Sequence, residues 1–141
     1  MHGKPVNNNF PCVSMMDWRG NGSDTARTWA LQMTIDVLGN EEKEVYAADV
    51  GGNAEAGAAA SWPLPSVVYS IGFKLVGGTK VVLVSNTNGT AATTTVRGAA
   101  GGTIHTVDAK AGFGAVPYST AKVSSDVVQL APSAFSLIEL P

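Results

Sequence analysis

Apolar and polar positions change rhythm once along this chain. Residues 10–18, FPCVSMMDW, form a nearly continuous apolar run of strand length, and residues 19–23, RGNGS, read as a loop. Ser23 or Asp24 then offers a short side-chain oxygen to cap a helix over TARTWALQMTIDVL, residues 25–38. Ala26, Ala30, Met33 and Val37 fall on one stripe of that helix, and Trp29, Leu31, Ile35 and Leu38 widen it. A helix apolar on so many sides is expected to be buried by several neighbours. Gly39-Asn40 ends it, since both residues tolerate the left-handed conformation of a C-cap.

Beyond residue 40 the period is that of strands. Expected strands are 43–50, 67–76, 79–85, 93–97, 103–108, 116–122, 126–130 and 135–140. Val and Thr are abundant there, and β-branched side chains pack well on a pleated surface. Gly77-Gly78 reads as a hairpin turn, and Asn86–Gly89 and Gly101-Gly102 as further turns. Residues 51–65, GGNAEAGAAASWPLP, read as a long loop with Trp62 pinning it to a sandwich face. The expected fold class is mainly β: an antiparallel β-sandwich with one N-terminal strand–helix unit. One strand and one helix cannot build a parallel sheet with its crossover. Residues 1–40 therefore read as the end of something larger, and residues 41–141 as a C-terminal sandwich domain.

Composition narrows the classes. Hydrophobic residues are 45% and charged residues 14% of 141, which excludes a disordered tail. The nine basic residues are scattered and the net charge is −2, so no nucleic-acid partner is expected. No apolar run reaches the ~18 residues of a membrane span, and no membrane partner is expected. MHGKPVNNNF lacks the apolar core of a signal peptide. Cys12 is the single cysteine and reads as a small buried hydrophobe, with no disulfide and no zinc site.

Candidate chemistry is sparse. Glu41, Glu42 and Glu44 read as a solvated acidic turn, and Asp108 as a turn organiser through its own side-chain oxygen. His105 reads as a structural strand residue. No nucleophile elbow, phosphate loop or metal-ligand spacing occurs, and no cofactor is expected. Two sequons, Asn21-Gly-Ser and Asn88-Gly-Thr, lie in expected loops and make Asn21 and Asn88 glycosylation candidates.

Three phrases carry a resemblance. Residues 14–18, SMMDW, followed by 26–31, ARTWAL, resemble the last strand and helix of the (β/α)8 barrel in glycoside hydrolases similar to family thirty-nine. Residues 107–140 resemble the end of the C-terminal β-sandwich of the same enzymes. The resemblance implies a secreted or extracellular protein and a retaining O-glycosyl hydrolase as the parent. Its two catalytic carboxylates, about 5 Å apart in such enzymes, belong to the fourth and seventh barrel strands, which would lie upstream of Met1. No catalytic residue is carried over. Trp18, at the end of the last barrel strand, matches a floor of the sugar site and is the one candidate substrate contact. The implied function is a non-catalytic, carbohydrate-associated C-terminal part of a hydrolase, with a carbohydrate or the missing barrel as partner. The alternative starts from the initial Met1, which fits a complete chain. It is a stand-alone structural protein that self-assembles into a homo-oligomer or filament through its N-terminal segment.

Overall fold

The computed structural model describes residues 26–48, 68–110 and 117–141. It comprises one helix, α1 (Ala26–Leu38), and eight strands. The strands are β1 (Lys43–Tyr46), β2 (Val68–Leu75), β3 (Lys80–Asn86), β4 (Ala92–Thr95), β5 (Thr103–Val107), β6 (Ser119–Lys122), β7 (Val127–Leu130) and β8 (Phe135–Glu139). Six of them form one sheet in the order β1-β2-β3-β8-β5-β6, and β4 pairs with β7 in a second sheet. Every pairing is antiparallel. The mainly β, antiparallel class read from the residues is the class observed.

Register decides what each face of the large sheet carries. Val82, Ile138 and Ile104 are cross-strand partners and share one face. The small sheet covers that face. Val84, Ile138, Val96, Ala99, Val123, Val128 and Leu130 form its core, with Val82, Ile104 and Leu140 packed at the margin. The opposite face presents Val81, Leu137 and Val107, which join Met33 and Leu38 of the helix in a second core. The large sheet is thus the middle of three layers. Its central strand β8 is buried on both faces at Ser136, Leu137 and Ile138, as a near-continuous apolar run requires.

The helix forms where local chemistry favours it. Ala, Leu, Gln, Met and Arg, all good helix formers, make up seven of its thirteen residues, and Gln32 Nε2 donates to Asp36 Oδ1 one turn on (2.7 Å). At its end the Gly39 N–H donates to the Ile35 carbonyl (2.9 Å), with Gly39 at φ 65°, a conformation that favours glycine. The stripe Ala26, Ala30, Met33 and Val37 faces the sheet as read. The expected all-round burial is not met. Leu31 and Ile35 on the outer side remain 51% and 44% exposed among the described residues.

The turns follow their residues. Gly78, at φ 86°, donates from its N–H to the Leu75 carbonyl and closes the β2–β3 hairpin. Asp108 Oδ1 accepts from the Lys110 N–H (2.8 Å), the turn role read for it. Asn86, 2% exposed, ends β3 and is fully bonded. Its Nδ2 donates to the Thr90 and Ala131 carbonyls (2.9 Å each), and its Oδ1 accepts from the Asn88 N–H (3.0 Å). Strand limits shift by one to three residues from the expected ones, and the 43–50 strand is observed only over Lys43–Tyr46. The strand read over 10–18, the helix-capping pair Ser23 and Asp24, and the 51–65 loop with Trp62 lie outside the described residues.

Candidate functional site

Alternation along three adjacent strands builds an open groove. Glu44 and Tyr46 on β1, Gly72 and Lys74 on β2, and Lys80 and Val82 on β3 are cross-strand partners on one face. Leu140 joins them, its N–H donating to the Lys80 carbonyl (2.9 Å). This is the face that the small sheet covers further along, so the groove is the uncovered shelf beside it. Its volume is about 540 Å³, and it is lined by Tyr46, Gly72, Lys74, Lys80, Val82 and Leu140 with the intervening backbone. That volume lies within the ~300–1,000 Å³ of ordinary ligand clefts. Gly72 matters here because a side chain at its position would rest against the Tyr46 carbonyl and Cβ.

The polar edge is asymmetric. Lys74 Nζ pairs with Glu44 Oε1 at 3.3 Å, and the Tyr46 hydroxyl donates to Glu44 Oε2. The tyrosine hydrogen bond, then the lysine, hold the Glu44 carboxyl below its ordinary value, and the same bond raises the Tyr46 phenol. Glu44 therefore belongs to a strand and pairs across it, rather than to a free acidic turn. Lys80 has no ion pair among the described residues. The Tyr46 ring is 48% exposed. The groove thus has an aromatic wall, a flat apolar floor and a surplus ammonium.

A second polar group lies on the opposite face. His105 Nε2 meets Glu139 Oε1 at 2.6 Å and its Nδ1 meets Thr120 Oγ1 at 3.1 Å. The Tyr118 ring packs edge-on to the imidazole at 6.0 Å. These contacts tie β6, β5 and β8 together, in keeping with the structural role read for His105. Tyr118 also donates its hydroxyl to Asp36 Oδ2 (2.8 Å), which fastens the helix to the sheet and raises the phenol above its ordinary value.

Of the residues singled out in the sequence, Trp18, Asn21 and Cys12 lie outside the described residues. Asn88 sits in the turn between β3 and β4, where its Nδ2 donates to Thr90 Oγ1 (2.8 Å). Tyr46 was not singled out. Its signal is the spacing of Glu44, Tyr46, Lys74 and Lys80, which acquires meaning only once the β1–β2–β3 register is known. Among the described residues no cluster of three or more His, Cys, Asp or Glu side chains gathers to hold a metal, and no helix is long and apolar enough to cross a membrane.

The fold has a counterpart among solved structures. The chain is similar to a GH30 endoxylanase from Clostridium papyrosolvens C71, with a TM-score of 0.56 and 13% sequence identity. The match covers 84% of this chain and 28% of that one, so the chain corresponds to a minor part of the endoxylanase's length. No protein-family model and no curated protein matches the sequence. The likeness shows that this chain shares its fold with that part of a glycoside hydrolase.

Proposed function

We propose that this chain is a non-catalytic, carbohydrate-associated C-terminal part of a secreted glycoside hydrolase similar to family thirty-nine. In this reading residues 1–40 belong to a (β/α)8 barrel, residues 41–141 are the sandwich attached to it, and Trp18 faces the sugar. The observation that carries the proposal is the structural match of 84% of the chain to 28% of a glycosidase. The phrases SMMDW and ARTWAL point the same way.

Among the described residues Glu44 and Glu139 do not form the carboxyl pair that a retaining glycosidase uses. Retaining hydrolysis needs two carboxyl groups about 5 Å apart across one sugar. Glu44 shares the groove face with Lys80, whereas Glu139 pairs in register with Val81 and points to the helix side. Each is already bonded, Glu44 to Tyr46 and Lys74 and Glu139 to His105. Extracellular placement would expose Asn21 and Asn88 to glycosylation. The test is turnover of a panel of aryl glycosides by rigorously purified full chain, where none is expected. Turnover that disappears when one of the chain's own carboxylates is replaced, as in Glu44→Gln or Glu139→Gln, would overturn the proposal.

A self-assembling structural protein is the second reading. What favours it is the exposed apolar surface of Leu31 and Ile35 on the helix and of Val45, Tyr69 and Ile71 on the same side of the sheet. Light scattering at tens of micromolar tests it, and a monomer would refute it.

A further inference from the structure

We infer that the shelf between β1, β2 and β3 binds a saccharide bearing a carboxylate, such as a uronic acid unit. The choice of a saccharide rests on the carbohydrate-associated reading above; the demand for an anion rests on the groove itself. The half-exposed Tyr46 ring stands beside a floor made of Gly72, Val82 and Leu140. A pyranose ring has the shape for such a place, since its C–H face packs on an aromatic ring while its hydroxyls reach the rim. Among the described residues the charged side chains that line the groove are Lys74 and Lys80, with Glu44 at its edge on Lys74. Lys74 is occupied by Glu44, but an exposed ion pair of this kind is weak and is readily shared. Lys80 is unpaired among the described residues. It offers a charge-assisted hydrogen bond to a carboxylate, and a neutral sugar would leave that ammonium without its best partner.

The floor explains why the site lies here. Further along the same face, Val84 and Ile138 are sealed by the small sheet. Residue 72 is glycine, so the backbone itself forms the floor opposite Tyr46. Neither lysine is needed for the core, so the site can be altered without unfolding the sheet.

The test is a backbone-amide NMR titration of the full chain with trigalacturonic acid, and with galactotriose as the neutral probe. Shifts should map to Gly72, Lys74, Val82 and Leu140, and added salt should weaken binding. Lys80→Gln should weaken the acidic trisaccharide about tenfold, the factor that one charge-assisted hydrogen bond supplies. Tyr46→Ala should abolish binding, whereas Tyr46→Phe, which keeps the ring, should retain it. Unchanged urea midpoints would show that the variants remain folded. No shifts at millimolar ligand, shifts mapping elsewhere, or equal binding of the neutral trisaccharide would each overturn the inference. Such a failure leaves the hydrolase reading standing, because that reading is judged by turnover and not by this groove.

Discussion

Asn86 is the residue whose loss the fold should feel most among its polar groups. Its side chain is buried and holds two turns together: the 87–90 turn through Thr90 and Asn88, and the 131–134 turn through Ala131. The Ser133 N–H to Asn88 carbonyl bond (2.8 Å) crosses the same gap and depends on both turns keeping their places. Asn86→Ala removes three side-chain hydrogen bonds, from the Thr90 carbonyl, the Asn88 N–H and the Ala131 carbonyl, of which the last keeps the Ala134 N–H (3.3 Å). At a net ~1 kcal/mol for each bond, the cost is about 3 kcal/mol. That is a large share of the ~5–15 kcal/mol that holds a domain folded. With a urea slope of roughly 2 kcal/mol per molar, the unfolding midpoint should fall by about 1.5 M. Asn88→Ala removes one exposed side-chain bond and should cost less than about 1 kcal/mol. Asn86→Asp keeps the shape but aims a carboxylate at two carbonyl oxygens. The protonated acid can donate to one of them, so folding raises its pKa. Its stability should then be highest in acid and fall as pH rises above the ordinary ~3.9 of aspartate. A midpoint loss for Asn86→Ala no greater than that of Asn88→Ala would refute this account of the two turns.

Three further outcomes follow from other parts of the fold. A methyl group at Gly102 would collide with the Glu139 carbonyl oxygen, so Gly102→Ala should cost about 1–3 kcal/mol in urea unfolding, while Gly77→Ala, with open space around it, should cost far less. The Asp126 carboxyl is held below its ordinary value, first by the Ala100 N–H (3.0 Å) and then by that of Gly98. Its stabilising effect should be complete above the unfolded value, fade as pH falls through the lower folded value, and vanish from the acid limb of the stability profile in Asp126→Asn. Tyr118→Phe should loosen the helix from β6 and speed amide hydrogen exchange in α1, because it removes the hydroxyl bond to Asp36.

The elements were legible and their partners were not. Alternation and turn residues placed all eight described strands to within a few positions, because a pleated strand writes its two faces into every second residue. Gly77-Gly78 and Gly39-Asn40 were legible for the same local reason: few residues accept φ near +60° to +90°. The sheet order is a different kind of information. Nothing local says that β8 lies between β3 and β5, or that β4 and β7 leave to form a separate layer. Hence Glu44 read as part of an acidic turn, although Lys74, thirty residues on, answers it across β2. The helix misled in the opposite direction. Its apolar stripe was correctly placed, but periodicity cannot tell whether Leu31 and Ile35 meet a neighbour or water.

The exposed apolar surface and the groove lie on opposite sides of the large sheet, and that separation gives the competing readings different consequences. Val45 pairs with Phe73, and Ile71 with Leu83, on the side of the sheet where the helix packs. Tyr46 pairs with Gly72 on the other side. One residue step along β1 therefore moves from the exposed apolar surface to the groove, because successive side chains in a strand point to opposite faces. Covering the helix side, whether by a barrel or by another copy, leaves Tyr46 and Lys80 open to ligand. Assembly and saccharide binding should accordingly be separable: a charged substitution at Val45 or Leu31 would weaken the first, and Lys80→Gln the second. The two faces are joined by the backbones of β1, β2 and β3, and β1, at the edge of the sheet among the described residues, is held to β2 by the four pairs Lys43–Leu75 to Tyr46–Gly72.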